Sequence, residues 1–156
     1  MANTLHTDNL ITRNYIEAAG VGALENFLSR AEITVARPNR QDTPVDAVAI
    51  NEDLIAVPIQ LKVVLQGGMT VHRKYLGRNL KLVYVNLGLE LGGLHEHTSF
   101  VVLDPETAWQ LPTKLGLKFD PEYHDTYRWP TTTANLRAAL EEHTCRTPAE
   151  LADALF

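Results

Sequence analysis

The feature of this sequence that most constrains its fold is a pair of short apolar runs on either side of a polar cluster. Residues 45–50 form the first run and residues 54–59 the second, and both are rich in β-branched side chains. The cluster between them, Asn51-Glu52-Asp53, is typical of a tight turn. The pattern therefore predicts two strands that pair about that turn.

Three polar side chains are expected at one end of this hairpin. Asp46 lies two residues after Pro44, and Gln60 and Lys62 lie at the end of the second apolar run with Leu61 between them. Because successive side chains on a strand point to opposite faces, Gln60 and Lys62 share one face and Leu61 takes the other. Pairing of the strands then places an acid, an amide and a lysine together at the edge of an apolar sheet.

A P-x-D followed by a Q-x-K resembles the motif of the PD-(D/E)XK nuclease superfamily, with Gln60 where the second acid usually stands. The resemblance covers roughly residues 8 to 110. It implies an α/β fold in which a central mixed β-sheet is flanked by helices, as in restriction endonucleases. The 156 residues are the length of one domain, with a core expected at about 8–111 and a helical C-terminal extension at about 131–156.

The resemblance also implies a Mg²⁺ site in which Mn²⁺ substitutes. Asp46 is the primary metal ligand, the backbone carbonyl of Leu61 the second, and Gln60 contributes its amide oxygen. Lys62 orients the attacking water or helps to deprotonate it, as a compact ammonium with an adjustable pKa is suited to do. Since an amide carries no negative charge, this site is expected to hold its metal less tightly than a site with two acids.

The first segment, from Thr7 to about Ala31, is predicted to be helical, with Thr7 or Asp8 as its cap. Gly20 and Gly22 interrupt the pattern, which permits a break, a kink or close packing against the sheet.

This helix also carries a candidate for the metal site, because the nuclease family usually supplies one glutamate from it. Glu17 and Glu25 lie four residues either side of Val21, and the spacing does not decide between them. The alternative for each is a solvated surface glutamate.

Contacts with nucleic acid would have to come from local clusters of basic residues. The formal net charge of −5 argues against a general electrostatic binder of DNA. Arg73 faces away from His72 and Lys74 on an extended strand, so only one of these sets can face the site. The resemblance makes Lys74 a further candidate near the active face. The residues predicted to contact phosphates are Arg37, Arg40, His72, Arg73 and Lys74.

Elsewhere the pattern predicts strands at 33–36, 81–87 and 99–103, an extended segment at 69–75, and an irregular segment at 112–130. One helix is expected around Leu136 to Leu140, and a second begins at the capping sequence Thr147-Pro148-Ala149-Glu150. Cys145 is the only cysteine, which excludes an internal disulfide. His95 and His97 are a metal pair of poor geometry, and a loop without metal is the favoured interpretation.

The predicted function is Mg²⁺-dependent cleavage of DNA. The small layout is similar to Holliday junction resolvases and to compact restriction or homing endonucleases, which often act as homodimers because two strands need two sites. Two alternatives stay open: a non-catalytic binding or interaction protein on a decayed nuclease fold, and a nuclease component of a toxin or defence system. No apolar run is long enough to span a membrane and no signal pattern is present, so a cytoplasmic location is expected.

Overall fold

The computed structural model describes residues 4–39, 43–64, 68–87 and 98–156. Their elements follow in the order α1 (Thr4–Arg30), β1 (Thr34–Ala36), β2 (Ala47–Ile50), β3 (Ala56–Val64), β4 (Met69–His72), a 3-10 turn (Arg73–Tyr75), β5 (Lys81–Asn86), β6 (Ser99–Leu103), α2 (Pro105–Lys114), β7 (Thr126–Trp129), α3 (Ala134–Glu141), β8 (Thr144–Cys145) and α4 (Pro148–Leu155).

The main sheet has six strands in the order β1-β2-β3-β5-β6-β8. Within the described ranges, β3 and β5 are the one parallel pair of this sheet, while the other neighbouring strands are antiparallel. Strands β4 and β7 form a separate antiparallel pair. The expected mixed sheet flanked by helices is confirmed.

Each face of the main sheet covers its own apolar core. On one face, in the first core, residues from α1 and α4, among them Leu24, Leu28 and Leu151, pack against alternate residues of β3 and β5. On the other face, in the second core, the β4–β7 pair packs with α2 and α3, and the buried side chains include Trp109, Trp129 and Leu136. Because the central strands are covered on both faces, apolar residues run almost without interruption along their sequence.

Helix α1 runs without interruption through Gly20, which excludes the break among the three roles considered for this glycine. Gly20 is buried against β3, where an added Cβ would collide with Val63 Cγ2 and lie 3.2 Å from Leu61 Cδ2. Of the three roles considered for this glycine, close packing against the sheet is the one that the structure shows. The helix also begins at Thr4, which places Thr7 and Asp8 inside it rather than at its cap.

The hairpin between β2 and β3 has a longer turn than predicted. Leu54 and Ile55 belong to the turn and are exposed, and Leu54 adopts a positive φ of 61°. The side-chain oxygen of Asn51 accepts a hydrogen bond from the Ile55 backbone at 2.9 Å, which closes the turn over five residues.

The segment predicted to be irregular contains regular structure. Helix α2 reaches Lys114, and β7 spans Thr126–Trp129. Tertiary packing creates β7, because Trp129 is buried and β7 pairs with β4 along its whole length. The predicted extended segment at 69–75 ends in the 3-10 turn at Arg73, and the short β8 was not predicted.

The helix start predicted at Thr147-Pro148-Ala149-Glu150 is confirmed. Thr147 and Glu150 form a reciprocal capping box at the start of α4. The helix buries Leu151 and Leu155 in the first core, so it is a packing element of the main sheet. Within the described part of the chain, no helix is both long and apolar enough to span a membrane.

Candidate active site around Asp46

The residue at the start of β2 is tied to the middle of β3 by both its backbone and its side chain. The Asp46 backbone N–H donates to the Ile59 carbonyl at 2.8 Å. Its carboxylate Oδ2 accepts a hydrogen bond from the Leu61 backbone N–H at 2.8 Å and another from Gln60 Nε2. The hairpin register, in which Ala47 pairs with Ile59, therefore brings Asp46 beside Gln60 as the sequence predicted.

Gln60 is buried, with 6% of its surface exposed, so its amide needs partners inside the protein. Its amide nitrogen donates both to Asp46 Oδ2 and, at 3.3 Å, to the carbonyl of Leu61. The carboxylate and the carbonyl thus converge on one point, which the Gln60 amide group occupies. These two oxygens and the amide belong to the three residues that the resemblance to the nuclease superfamily implies as metal ligands.

Burial is the main influence on the Asp46 carboxyl and raises its pKa above the ordinary value. The Leu61 N–H, the charge of Lys62 and the Gln60 amide lower this pKa, whereas the charge of Glu17 raises it, and the net direction is upward. Asp46 is therefore a carboxylate held partly out of water, whose charge a nearby cation would stabilise.

The structure separates the two glutamates of α1. Glu17 lies close enough to Asp46 for its charge to raise the Asp46 pKa. Glu25 instead accepts a 2.7 Å ion-paired hydrogen bond from Arg37 Nε at an exposed position. Glu17 lies one turn before Gly20, so the close contact of Gly20 with β3 brings this part of the helix towards the sheet.

Lys62 follows two residues after Gln60 on the same face of β3, as alternation predicted. Its Nζ lies 6.0 Å from the centroid of the Tyr75 ring, and Lys74 Nζ lies 5.1 Å from the same centroid. Burial, followed by the positive charges of Lys62 and Lys74, lowers the pKa of His72. Lys62, His72 and Lys74 therefore form one group around Tyr75, in which the two lysines carry the positive charge and the lowered pKa of His72 favours its neutral ring.

A chain of contacts through β5 explains how residues from β4 reach this position. Lys62 pairs with Tyr84 across the parallel β3–β5 ladder. Tyr84 is buried, and its hydroxyl donates to the Thr70 carbonyl on β4 at 3.0 Å. Strand β4 then continues directly into the turn that carries Lys74 and Tyr75.

The other predicted phosphate contacts lie apart from this group. Arg73 turns away, and its guanidinium donates to the Glu122 carbonyl at 3.0 Å. Arg37 is paired with Glu25. Arg40 and the pair His95 and His97 lie outside the described residues.

The oxygen donors suit a hard divalent cation, since Mg²⁺ is usually held by one or two carboxylates and keeps several waters. Asp46 supplies one carboxylate, Leu61 a carbonyl and Gln60 an amide, with the Glu17 charge nearby. Among the described residues, no group of three or more His, Cys, Asp or Glu side chains could hold a metal. The ligands available around Asp46 are thus oxygen atoms, with Asp46 as their one carboxylate.

Sequence reasoning missed Tyr75 and Tyr84. Tyr75 is 3% exposed, and burial together with the charge of Asp46 raises its pKa. The sequence placed Tyr75 next to the basic residues 72–74, but its proximity to Asp46 and Lys62 depends on how β4 packs over β5, which no local pattern encodes.

No protein-family model matches the sequence, and no curated protein matches it. Among solved structures, the chain is similar to a bacterial homing endonuclease, with a TM-score of 0.48 and 13% sequence identity over 78% of this chain and 80% of that one. A likeness of this strength does not establish a shared fold. The interpretation of the site therefore depends on its own geometry.

Proposed function

We propose that this protein is a metal-dependent endonuclease that hydrolyses phosphodiester bonds in DNA. The observation that carries the proposal is the convergence of Asp46 Oδ2 and the Leu61 carbonyl on the Gln60 amide, with Lys62 on the same face of β3. Phosphodiester hydrolysis needs an activated water and positive charge beside the phosphate, and this arrangement offers groups for both.

The cofactor in this proposal is Mg²⁺, with Mn²⁺ as a substitute, and it would supply Lewis acidity and an acidified water when bound. Asp46, the Leu61 carbonyl and the Gln60 amide oxygen would hold it. The amide must rotate to present its oxygen, because its nitrogen faces the other two groups in this structure. Glu17 would add negative charge nearby.

Lys62 would act on the substrate side of the site. Its ammonium would offset negative charge on the scissile phosphate and orient the attacking water, in the role that the resemblance implies. His72 and Lys74 would contact the phosphate backbone beside it without reading sequence. Arg73 and Arg37 are left out of this interface because their side chains already bind Glu122 and Glu25.

Within this proposal, the protein is a small cytoplasmic nuclease with selectivity for branched DNA, similar to a Holliday junction resolvase. A homodimer would supply the two sites that cutting two strands requires. A nuclease component of a toxin or defence system would use the same chemistry on a different substrate.

One observation favours a second function. Gln60 donates hydrogen bonds to both oxygens of the proposed metal site, so the buried polar groups there have partners without a metal. A protein that binds nucleic acid without cutting it could keep this arrangement as a structural feature.

A cleavage assay separates the two functions. Supercoiled plasmid and a synthetic four-way junction would be incubated with Mg²⁺, with Mn²⁺ or with EDTA. We expect metal-dependent cutting that falls by about 100-fold or more in Asp46→Ala and in Lys62→Ala, because both remove groups at the reacting phosphate. Lys114→Ala, at an exposed lysine in the last turn of α2, is the matched control. Binding of either DNA without cutting under all conditions would favour the second function.

A further inference from the structure

Tyr75 is a buried aromatic residue to which two ammonium groups are directed. Lys74 Nζ lies 5.1 Å and Lys62 Nζ 6.0 Å from the centre of its ring. Both distances are within the range at which an aromatic ring attracts a cation. The two ammonium groups therefore lie within about 11 Å of each other, the sum of those two distances, although one comes from β3 and the other from the turn after β4.

The Tyr75 ring is held in place by the residues that surround it. Tyr75 is 3% exposed, so its ring is fixed by packing in the second core. The His72 ring meets it edge to face, with ring centroids 5.9 Å apart. The Asp46 carboxylate is also close enough to influence the phenol. The ring is thus close both to the acid of the proposed metal site and to two lysines from separate elements.

Flexible lysine side chains lose conformational entropy when they are held in one place, and a fixed ring reduces the range that they explore. A pair of ammonium groups held on one ring is suited to an anion with several oxygens, because each lysine supplies up to three donors. The neighbouring Asp46 carboxylate weakens the binding of such an anion, and a cation between the two would offset that repulsion, which is the order of charges that a metal-bound phosphodiester requires.

We propose that Tyr75 is a positioning residue that holds Lys62 and Lys74 together as a single phosphate-binding site beside Asp46. This inference rests on the proposed function for its role in cleavage, but the phosphate site itself is a separate property that can be measured without cleavage. Tyr75 acts through the two lysines, and its ring rather than its hydroxyl does the positioning.

The test compares Tyr75→Phe, which keeps the ring, with Tyr75→Leu, which removes it. Inorganic phosphate is titrated into the full chain in EDTA, while NMR records the ε-methylene signals of Lys62 and Lys74. We expect upfield ring-current shifts for both lysines in the wild type and in Tyr75→Phe, and a common response of both to phosphate. In Tyr75→Leu we expect the ring-current shifts to vanish and phosphate affinity to fall roughly two- to fivefold for each lysine that the ring held.

A further variant covers the case in which Tyr75→Leu does not fold. Lys74→Met leaves the buried ring in place, and we expect it to weaken the phosphate response measured at Lys62, because the two lysines share one ligand. Lys114→Met is the control and should leave that response unchanged. Independent phosphate responses at Lys62 and Lys74, or a folded Tyr75→Leu protein with wild-type affinity and shifts, would overturn the inference.

The cleavage assay distinguishes failure of this inference from failure of the proposed function. Phosphate binding that depends on the ring, in a protein that never cuts DNA, would support the phosphate site and remove the nuclease. Metal-dependent cutting with kcat and KM unchanged in a folded Tyr75→Leu protein would support the nuclease and overturn the role of Tyr75.

Discussion

The amide nitrogen of Gln60 donates a hydrogen bond to Oδ2 of Asp46, fourteen residues earlier in the chain. The same nitrogen donates to the Leu61 carbonyl, so a single buried amide links the two backbone segments from which the proposed metal ligands come. Without a metal, the amide dipole offsets part of the Asp46 charge.

Gln60→Glu should make the site more dependent on a metal. The substitution removes the two hydrogen bonds donated by the amide and places a second carboxylate beside Asp46, so in EDTA we expect a loss of about 1–3 kcal/mol in the free energy of unfolding. The added charge should also strengthen metal binding, so Mn²⁺ should raise the melting temperature more in this variant than in the wild type. Thermal unfolding with EDTA and with Mn²⁺ measures both effects. An equal Mn²⁺ effect in the two proteins would count against a metal at Gln60.

Asp46→Asn should stabilise the protein relative to the wild type as the pH rises. The fold raises the pKa of Asp46 above its ordinary 3.8, so the folded state favours the protonated carboxyl. Its contribution to the free energy of unfolding is therefore greatest below pH 3.8. The contribution is lost as the pH rises through the raised pKa. Asparagine does not ionise, and its side-chain oxygen can still accept from the Leu61 N–H. Urea unfolding at pH 3.5 and pH 7 should show the variant gaining on the wild type at the higher pH, and a gap that moves the other way would contradict the prediction.

Asp46→Ala provides the matched comparison at the same position. It removes the acceptor for the buried Leu61 N–H and for the Gln60 amide. We expect it to be about 1–3 kcal/mol less stable than Asp46→Asn at pH 7, because buried donors without partners are costly. Equal stability of the two variants in urea unfolding would show that these hydrogen bonds contribute little.

Glu17→Gln should weaken the metal site more than Glu25→Gln. Of the two glutamates, Glu17 is the one whose charge influences the Asp46 pKa, whereas Glu25 is paired with Arg37 at an exposed position. We expect roughly tenfold weaker Mn²⁺ binding, or an equal loss of cleavage, in Glu17→Gln. Glu25→Gln should remain close to the wild type in both assays. A larger effect from Glu25 would reverse the assignment of the helix glutamate.

Gly20→Ala and Gly22→Ala should change stability in opposite directions, although they lie two residues apart on the same helix. Alanine at position 22 meets no atom within 4 Å, so its higher helix propensity should stabilise the protein by up to about 1 kcal/mol. Alanine at position 20 would collide with Val63, and overpacking of this kind costs about 1–3 kcal/mol. Urea unfolding of both variants tests the pair. Stabilisation by Gly20→Ala would show that α1 does not pack this closely on β3.

Cys145 should be unreactive while the protein is folded. Its thiol is buried at the edge of the main sheet, and burial followed by the charge of Glu150 raises its pKa to about 11. Since the thiolate is the reactive form, we expect very slow reaction with a disulfide reagent at pH 8 and fast reaction in urea. Fast reaction of the native protein would mean that β8 opens readily.

Much of the fold followed from local patterns that depend on only a few neighbouring residues. Alternation placed Gln60 and Lys62 on one face, β-branched runs marked the central strands, and the Thr147–Glu150 capping box marked the start of α4. Arg73 is separated from His72 and Lys74 as expected, but by the 3-10 turn Arg73–Tyr75 and not by strand alternation. Strand period and a complete capping box are encoded within a few residues, so the sequence alone determines them.

The remaining features required tertiary structure because they join segments far apart in the chain. The sequence could not choose between Glu17 and Glu25, since the choice depends on how closely Gly20 lets α1 approach β3. Nor could it find β7, which exists because Trp129 packs beside β4. Asp46, Gln60 and Lys62 were predicted to meet because a hairpin joins them. Tyr75 reaches this site only because β4 lies over β5, a contact set by the packing of the whole second core.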